Sequence, residues 1–293
     1  MRPSGMRRNR GLATGKKSGA PDLNSGKLCR KWSAVLLFKK ILNFSKEAVV
    51  AGDKRQAERY PVGQGFPFKS VMTLIGHDGD GNPIANSAKS QDWAGRLSNI
   101  STTGASIQMH SAAVAIRGEP CVFKLSLDSY LIEIPSTVAF FRFYPQYALC
   151  GFSFNFADFE TQKAYLQILE PVSLGASLAA VDPKSVKQDV EGLTKEQYAG
   201  DKASRLTVWR DPHGGINSFD FRMNDYAVRW AHGMTEVQTA AVETKAGGKK
   251  SLSGLTPTQQ EEVHWLFCLA VPNLSKAVAL DVRKFMGQLV AVK

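Results

Sequence analysis

The sequence has few cysteines and no long apolar run, and these absences exclude several classes of protein. Its four cysteines, Cys29, Cys121, Cys150 and Cys268, are far apart and form no C-x-x-C pair, which argues against a zinc cluster or a dense disulfide framework. No apolar run approaches the roughly 20 residues that cross a bilayer, and the run at residues 34–38 is too short for a secretory signal. We therefore predict reduced cysteines, no transmembrane span and a cytoplasmic protein.

The sequence also lacks the motifs of the common enzyme and metal sites. It contains no P-loop, no G-x-S-x-G and no dinucleotide-binding glycine pattern. Its five histidines, His77, His110, His213, His232 and His264, do not have the spacing of metal ligands. We therefore predict a protein that is not an enzyme and that has no catalytic residue, no cofactor and no metal site.

The positive charge of the chain is concentrated at its N-terminus. The net charge of the whole sequence is +11, but residues 1–54 contain 13 Lys and Arg against three acidic residues, and the rest of the chain is close to neutral. Such a basic segment attracts phosphates or an anionic membrane surface. For residues 1–50 the sequence leaves open weak peripheral contact with the inner membrane, weak contact with nucleic acid, and a solvated segment without a specific partner.

Composition and periodicity divide the chain into five segments. Residues 1–26 are rich in Gly, Ser, Arg and Lys, which predicts a disordered basic tail. Helical spacing of apolar residues predicts a helix over 27–52, and residues 53–173 have the two-residue period of β-strands. Residues 174–184 are predicted to be a linker, and residues 185–293 form a second domain.

Residues 53–173 are expected to form a small antiparallel β-barrel. Apolar and polar residues alternate at 105–110, 123–128 and 150–156, as they do in half-buried strands. Several short strands with turns between them favour a barrel, and the apolar stripe of residues 159–169 predicts a helix that caps it. The polar stretch 77–93 is interpreted as a long hairpin excursion.

Residues 185–293 are expected to form an α+β domain. The pattern predicts a short helix over 187–198 and a β-meander with strands at 206–210, 218–223, 226–232 and 236–243. Two C-terminal helices follow, the first opening with Thr258 and Glu261 in capping-box spacing and the second beginning near Ser275. The predicted fold class is therefore mainly β plus α+β, a barrel followed by a meander with two helices.

Two short motifs carry the functional signal. Arg55 and Arg59 form R-x-x-x-R just before the first expected strand, and Asn99, Ser101 and Gly104 form N-x-S-x-x-G where a strand meets a turn. Guanidinium groups pair bidentately with phosphates and with the O6/N7 edge of guanine. The short polar side chains can donate and accept hydrogen bonds, and glycine permits a turn or a close approach of the backbone. Taken alone, the second motif also fits an ordinary Asx-type turn.

In this order the two motifs resemble those of the PilZ family, whose members use them to bind cyclic di-GMP. The resemblance extends through residues 97–107 (LSNISTTGASI) and 151–156 (GFSFNF) and covers about residues 54–172. It implies a PilZ-like barrel that binds cyclic di-GMP through Arg55, Arg59, Asn99, Ser101 and Gly104. The secondary candidates for ligand contact are Lys54 and Gly151.

The resemblance further implies a bacterial receptor that changes conformation when it binds this second messenger. An unidentified downstream protein that controls motility, adhesion or exopolysaccharide would then read the change. The alternative is a PilZ-fold adaptor that does not bind nucleotide and acts through protein contacts alone. The family gives no role for residues 185–293.

Overall fold

A computed structural model describes residues 57–78, 80–83, 91–201, 203–244 and 250–291. The predicted basic tail and the predicted helix over 27–52 lie outside these residues. In the described part of the chain, two antiparallel sheets follow each other along the sequence, with three α-helices packed on and between them.

The first sheet closes into the predicted barrel. Its order is β1-β3-β2-β5-β6-β7-β4, and an additional pairing between β3 and β4 closes the last six strands into a cylinder. Its core is built from alternating inward side chains, among them Phe123, Leu125 and Ile134, which are fully buried. The strands of this sheet are β1 (Tyr60–Pro61), β2 (Lys69–Leu74), β3 (Asp92–Ser101), β4 (Gly104–Met109), β5 (Pro120–Leu127), β6 (Tyr130–Tyr144) and β7 (Tyr147–Phe154).

The polar stretch 77–93 connects β2 to β3, which takes in its last two residues, and the two strands pair antiparallel, as the hairpin interpretation predicts. Within the stretch, His77 and Pro83 form an isolated bridge. Residues 79 and 84–90 of the excursion lie outside the described part of the chain.

Helix α1 (Phe159–Ala176) follows the barrel and is longer than the sequence pattern predicts. The Asp158 side chain caps it by accepting a hydrogen bond of 2.7 Å from the Thr161 backbone. The helix continues through Pro171 because the residues beyond it, including Val172 and Leu174, are buried and gain more from packing than the helix loses at the proline.

The second sheet is a seven-stranded meander in the order β14-β13-β12-β11-β10-β9-β8. The predicted helix over 187–198 is wrong: its last residues are in β9, which pairs with strands on both sides, and both sets of bonds would be lost in a helix. The predicted linker, residues 174–184, contains the end of α1 and strand β8. The strands are β8 (Ala179–Ala180), β9 (Thr194–Ala199), β10 (Arg205–Arg210), β11 (Ile216–Met223), β12 (Tyr226–Ala231), β13 (Gln238–Thr244) and β14 (Lys250–Ser253).

The two predicted C-terminal helices are present, but both begin at other residues. Helix α2 (Pro257–Ala270) is capped by Thr256 and Gln259 in a capping box, two residues before the predicted pair, since Pro257 suits the first helical position. A short 3-10 turn at Val271–Asn273 follows α2 directly. Helix α3 (Leu280–Val290) begins five residues after Ser275. No helix among the described residues is long and apolar enough to cross a membrane.

Helices α1 and α2 each contribute side chains to the cores of both the barrel and the meander. Tyr165 and Ile168 of α1 belong to the barrel core, whereas Leu174, near the end of the same helix, belongs to the core of the meander. From α2, Leu269 packs into the barrel core. The predicted fold class, a small barrel with a capping helix followed by an α+β domain, is confirmed.

Candidate functional site

Strand β1 brings the exposed Arg59 to the second motif. Tyr60 pairs with Ile100 and Pro61 pairs with Asn99, in antiparallel register. Arg59 precedes Tyr60 by one residue and therefore stands at the level of Ser101, where the N-x-S-x-x-G turn begins. Residues about 40 positions apart in the sequence are thus neighbours across two strands.

Asn99 offers a carboxamide on the outer side of β3. A register shift between Leu97 and Asn99 keeps Leu97 and Ile100 facing the core, while Asn99 is half-buried. Among the residues that the structure describes, its side chain has no hydrogen-bond partner. Asn99 pairs with Ser106 of β4, whose hydroxyl is buried and also lacks a partner in the described residues. Within the described part of the chain, two polar side chains on adjacent strands therefore have no hydrogen-bond partner.

Ser101 and Gly104 hold the turn between β3 and β4. Ser101 is buried, and its hydroxyl donates to the Gly104 carbonyl over 3.1 Å. Its own carbonyl accepts a hydrogen bond of 2.8 Å from the hydroxyl of Tyr165 in α1. Burial raises the pKa of that phenol, so the proton stays in place at neutral pH. The capping helix thereby fixes the turn beside Arg59.

The two glycines of the predicted site are in close contact with their protein neighbours. A β-carbon on Gly104 would lie 2.1 Å from the carbonyl oxygen of Phe152 in β7. A β-carbon on Gly151 would lie 2.1 Å from the ring of Phe140, which covers that position from the next strand. The missing side chains therefore allow the close approach of a strand and of an aromatic ring.

The carboxylate of Glu58, which precedes Arg59 in the sequence, accepts a hydrogen bond from Tyr60. The hydroxyl of Tyr60 donates to the carboxylate of Glu58 over 2.9 Å. Burial, followed by this carboxylate, raises the pKa of Tyr60 to about 12, so the tyrosine remains a neutral donor. The exposed guanidinium of Arg59 is left facing solvent beside the turn.

Of the predicted ligand contacts, the structure brings together Arg59, Asn99, Ser101 and Gly104. Gly151 lies on the same row across the sheet, two strands from Asn99, by way of Ser106. Lys54 and Arg55 lie outside the described residues. Sequence reasoning missed the anchoring role of Tyr165, because no local pattern shows which side chain a turn 64 residues away will meet.

Comparisons with known proteins find similar solved structures over part of the chain. No protein-family model and no curated protein matches the chain. A solved structure of the PilZ domain with c-di-GMP of YcgR from Escherichia coli is similar over 40% of this chain and 88% of that chain, at 12% identity and a TM-score of 0.30. The PilZ domain of CeSA from a cellulose synthesizing bacterium is similar over 38% and 93%, at 15% identity and a TM-score of 0.27.

Proposed function

We propose that the barrel is a PilZ-type receptor domain that binds cyclic di-GMP beside the β3–β4 turn. The observation that carries the proposal is the pairing of β1 with β3, which sets Arg59 next to Asn99 and the Ser101–Gly104 turn. Arg55 and Lys54, a few residues before Arg59 in sequence, would supply further positive charge. As a receptor for a second messenger the protein would act in the cytoplasm and would carry out no chemistry itself.

The residue types suit the chemistry of this ligand. Cyclic di-GMP carries two phosphates and two guanines, and an arginine can pair with either group in a bidentate way or stack on the base. The carboxamide of Asn99, which has no partner among the described residues, has both donors and an acceptor for a base edge. The Ser101–Gly104 turn, fixed by Tyr165, gives the ligand a rigid wall.

The segment that follows Arg59 also touches the second lobe, and this supports a conformational response. The backbone N–H of Gly63 donates to the side chain of Asn273 over 2.8 Å, and a β-carbon on Gly63 would lie 1.9 Å from the Pro272 carbonyl oxygen. A ligand that binds one arrangement of the arginine segment more tightly than another would shift the equilibrium between the two arrangements by its difference in affinity for them. This contact would change with that equilibrium. A downstream partner in motility, adhesion or exopolysaccharide control would then read the change.

Isothermal titration with cyclic di-GMP tests the proposal. We expect the wild type to bind and Arg59→Ala to bind about 5- to 150-fold more weakly, because one bidentate guanine contact is worth about 1 to 3 kcal/mol. Arg55→Ala should weaken binding as well. The matched control is Arg117→Ala, an exposed arginine in the loop between β4 and β5, which should bind like the wild type. Flat isotherms for the wild type at saturating ligand would instead favour the adaptor that acts through protein contacts.

A further inference from the structure

A second set of positive charges lies in a groove on the outer face of the barrel. The groove has a volume of about 560 Å³ and runs over strands β2 and β3, beneath the loop that follows β1. Phe66, Lys69, Arg96 and Ser126 are among the residues that line it, and none of the described lining residues is acidic. A concave site with cations and no carboxylate favours an anionic ligand.

The two cations face each other across the floor of the groove. Ser70 pairs with Gly95, so Lys69 and Arg96, one position further on each strand, are neighbours on the outer face. Like charges in this arrangement destabilise a sheet. An anion bound between them would remove that repulsion. Ser126 of β5 pairs with Lys69, so its hydroxyl lies on the same row.

The geometry around Arg96 holds its guanidinium without neutralising it. Its side chain donates to the amide oxygen of Gln108 over 2.8 Å, a neutral partner on β4. Lys124, on the same outer face, is different, because its ammonium lies 3.7 Å from Asp92 and 3.6 Å from Glu133. The groove is therefore a place where positive charge is kept in excess.

The groove also has an aromatic wall. Phe66 is half-buried and stacks on Phe68 with 5.6 Å between the ring centroids. Phe68 belongs to the barrel core, so it holds its neighbour in place. A rigid aromatic side chain beside two cations suits a ligand that joins a planar ring to a phosphate, because the ring can stack while the phosphate pairs.

The groove and the proposed ligand site lie along one strand. Asn99 is three residues beyond Arg96, or about 10 Å along β3. Between them, the N–H of Val62 donates to the Ser98 carbonyl over 2.9 Å and ties the covering loop to the strand. We propose that the groove binds the phosphate and base of a guanine nucleotide. Resting on the proposed function, it takes one phosphate–guanine half of cyclic di-GMP while Arg59 and Asn99 take the other.

The test is the double variant Lys69→Gln/Arg96→Gln, titrated with cyclic di-GMP and, separately, with GMP as the probe of the groove alone. We expect cyclic di-GMP affinity to fall by at least about tenfold, as for loss of a bidentate contact, with loss of GMP binding and a shallower dependence on salt. Lys124→Gln is the matched control and should match the wild type in both titrations. Thermal melts should show that the double variant remains folded.

The two titrations separate this inference from the proposed function. If the wild type does not bind cyclic di-GMP but binds GMP, and the double variant loses GMP, the groove stands and the receptor role fails. If Arg59→Ala weakens cyclic di-GMP while the double variant binds both ligands like the wild type, the receptor stands and the groove is overturned. Competition by inorganic phosphate as strong as that by GMP would also overturn it, because the base would then contribute nothing.

Discussion

The residues of the N-x-S-x-x-G motif stabilise the β3–β4 turn in addition to their proposed contact with the ligand. Ser101 closes the turn on Gly104, and the turn is bound from below by the phenol of Tyr165. Gly104 itself lets β4 approach Phe152 of β7. A rigid turn of this kind presents its backbone and Asn99 in one fixed geometry, which lowers the ordering cost of binding.

Gly104→Ala tests the close approach of β4 to β7. The new β-carbon would lie 2.1 Å from a backbone oxygen, so strands must move apart, and we expect a loss of about 1 to 3 kcal/mol in the free energy of unfolding. Chemical denaturation measures it. Gly254→Ala, at an exposed position with no atom within 4 Å of the added carbon, is the control and should change stability far less. Equal stability of the two variants would contradict the close contact.

At the scale of elements, strands were easier to predict than helix ends. Alternation over residues 123–128 and 150–156 identified β5 and β7, because one face of each strand is buried. The helix predicted over 187–198 is wrong, since β9 gains its bonds from β8 and β10, which lie outside the predicted helix and do not affect its own residue spacing. The same limit applies to the site. The motifs named Arg59 and Asn99, but the pairing of β1 with β3 that brings them close together is a tertiary property.

Helix α3 contains a glycine that its surroundings do not require. A β-carbon on Gly287 would meet no atom within 4 Å. We expect Gly287→Ala to raise the free energy of unfolding by about 0.5 to 1 kcal/mol, because alanine lowers the entropy of the unfolded chain and favours the helix. Gly118→Ala also adds a carbon in open space, but at a φ of +88°, and should lower stability. Denaturation curves in which both variants shift in the same direction would refute this account.

At the scale of the whole molecule, the Asn273 side chain joins the two lobes. It is buried, accepts from the Gly63 backbone and donates to the Leu269 carbonyl over 2.7 Å. The sequence did not indicate this contact, because its two partners are 210 residues apart. It places the loop after Arg59 against the 3-10 turn that leaves α2.

Asn273→Ala should remove this junction. The half-buried N–H of Gly63 and the buried carbonyl of Leu269 would each lose a side-chain partner, which costs about 1 to 3 kcal/mol in the free energy of unfolding, measured by denaturation. Hydrogen exchange of the Gly63 amide should also become faster. Asn155→Ala is the control, since that asparagine is exposed and makes one side-chain bond to Thr137. A stability loss no larger than the control's would show that the junction contributes little.

Helix α1 has a consequence for how this protein can be inherited. Its middle turns, from Tyr165 to Val172, complete the barrel core, and Leu174 in its last turn belongs to the core of the meander. A recombination event that copied the barrel without the meander would carry the apolar end of this helix into water, and one that copied the meander alone would leave its core open. The coding sequences of the two lobes are therefore expected to be transferred between genomes together, as one unit.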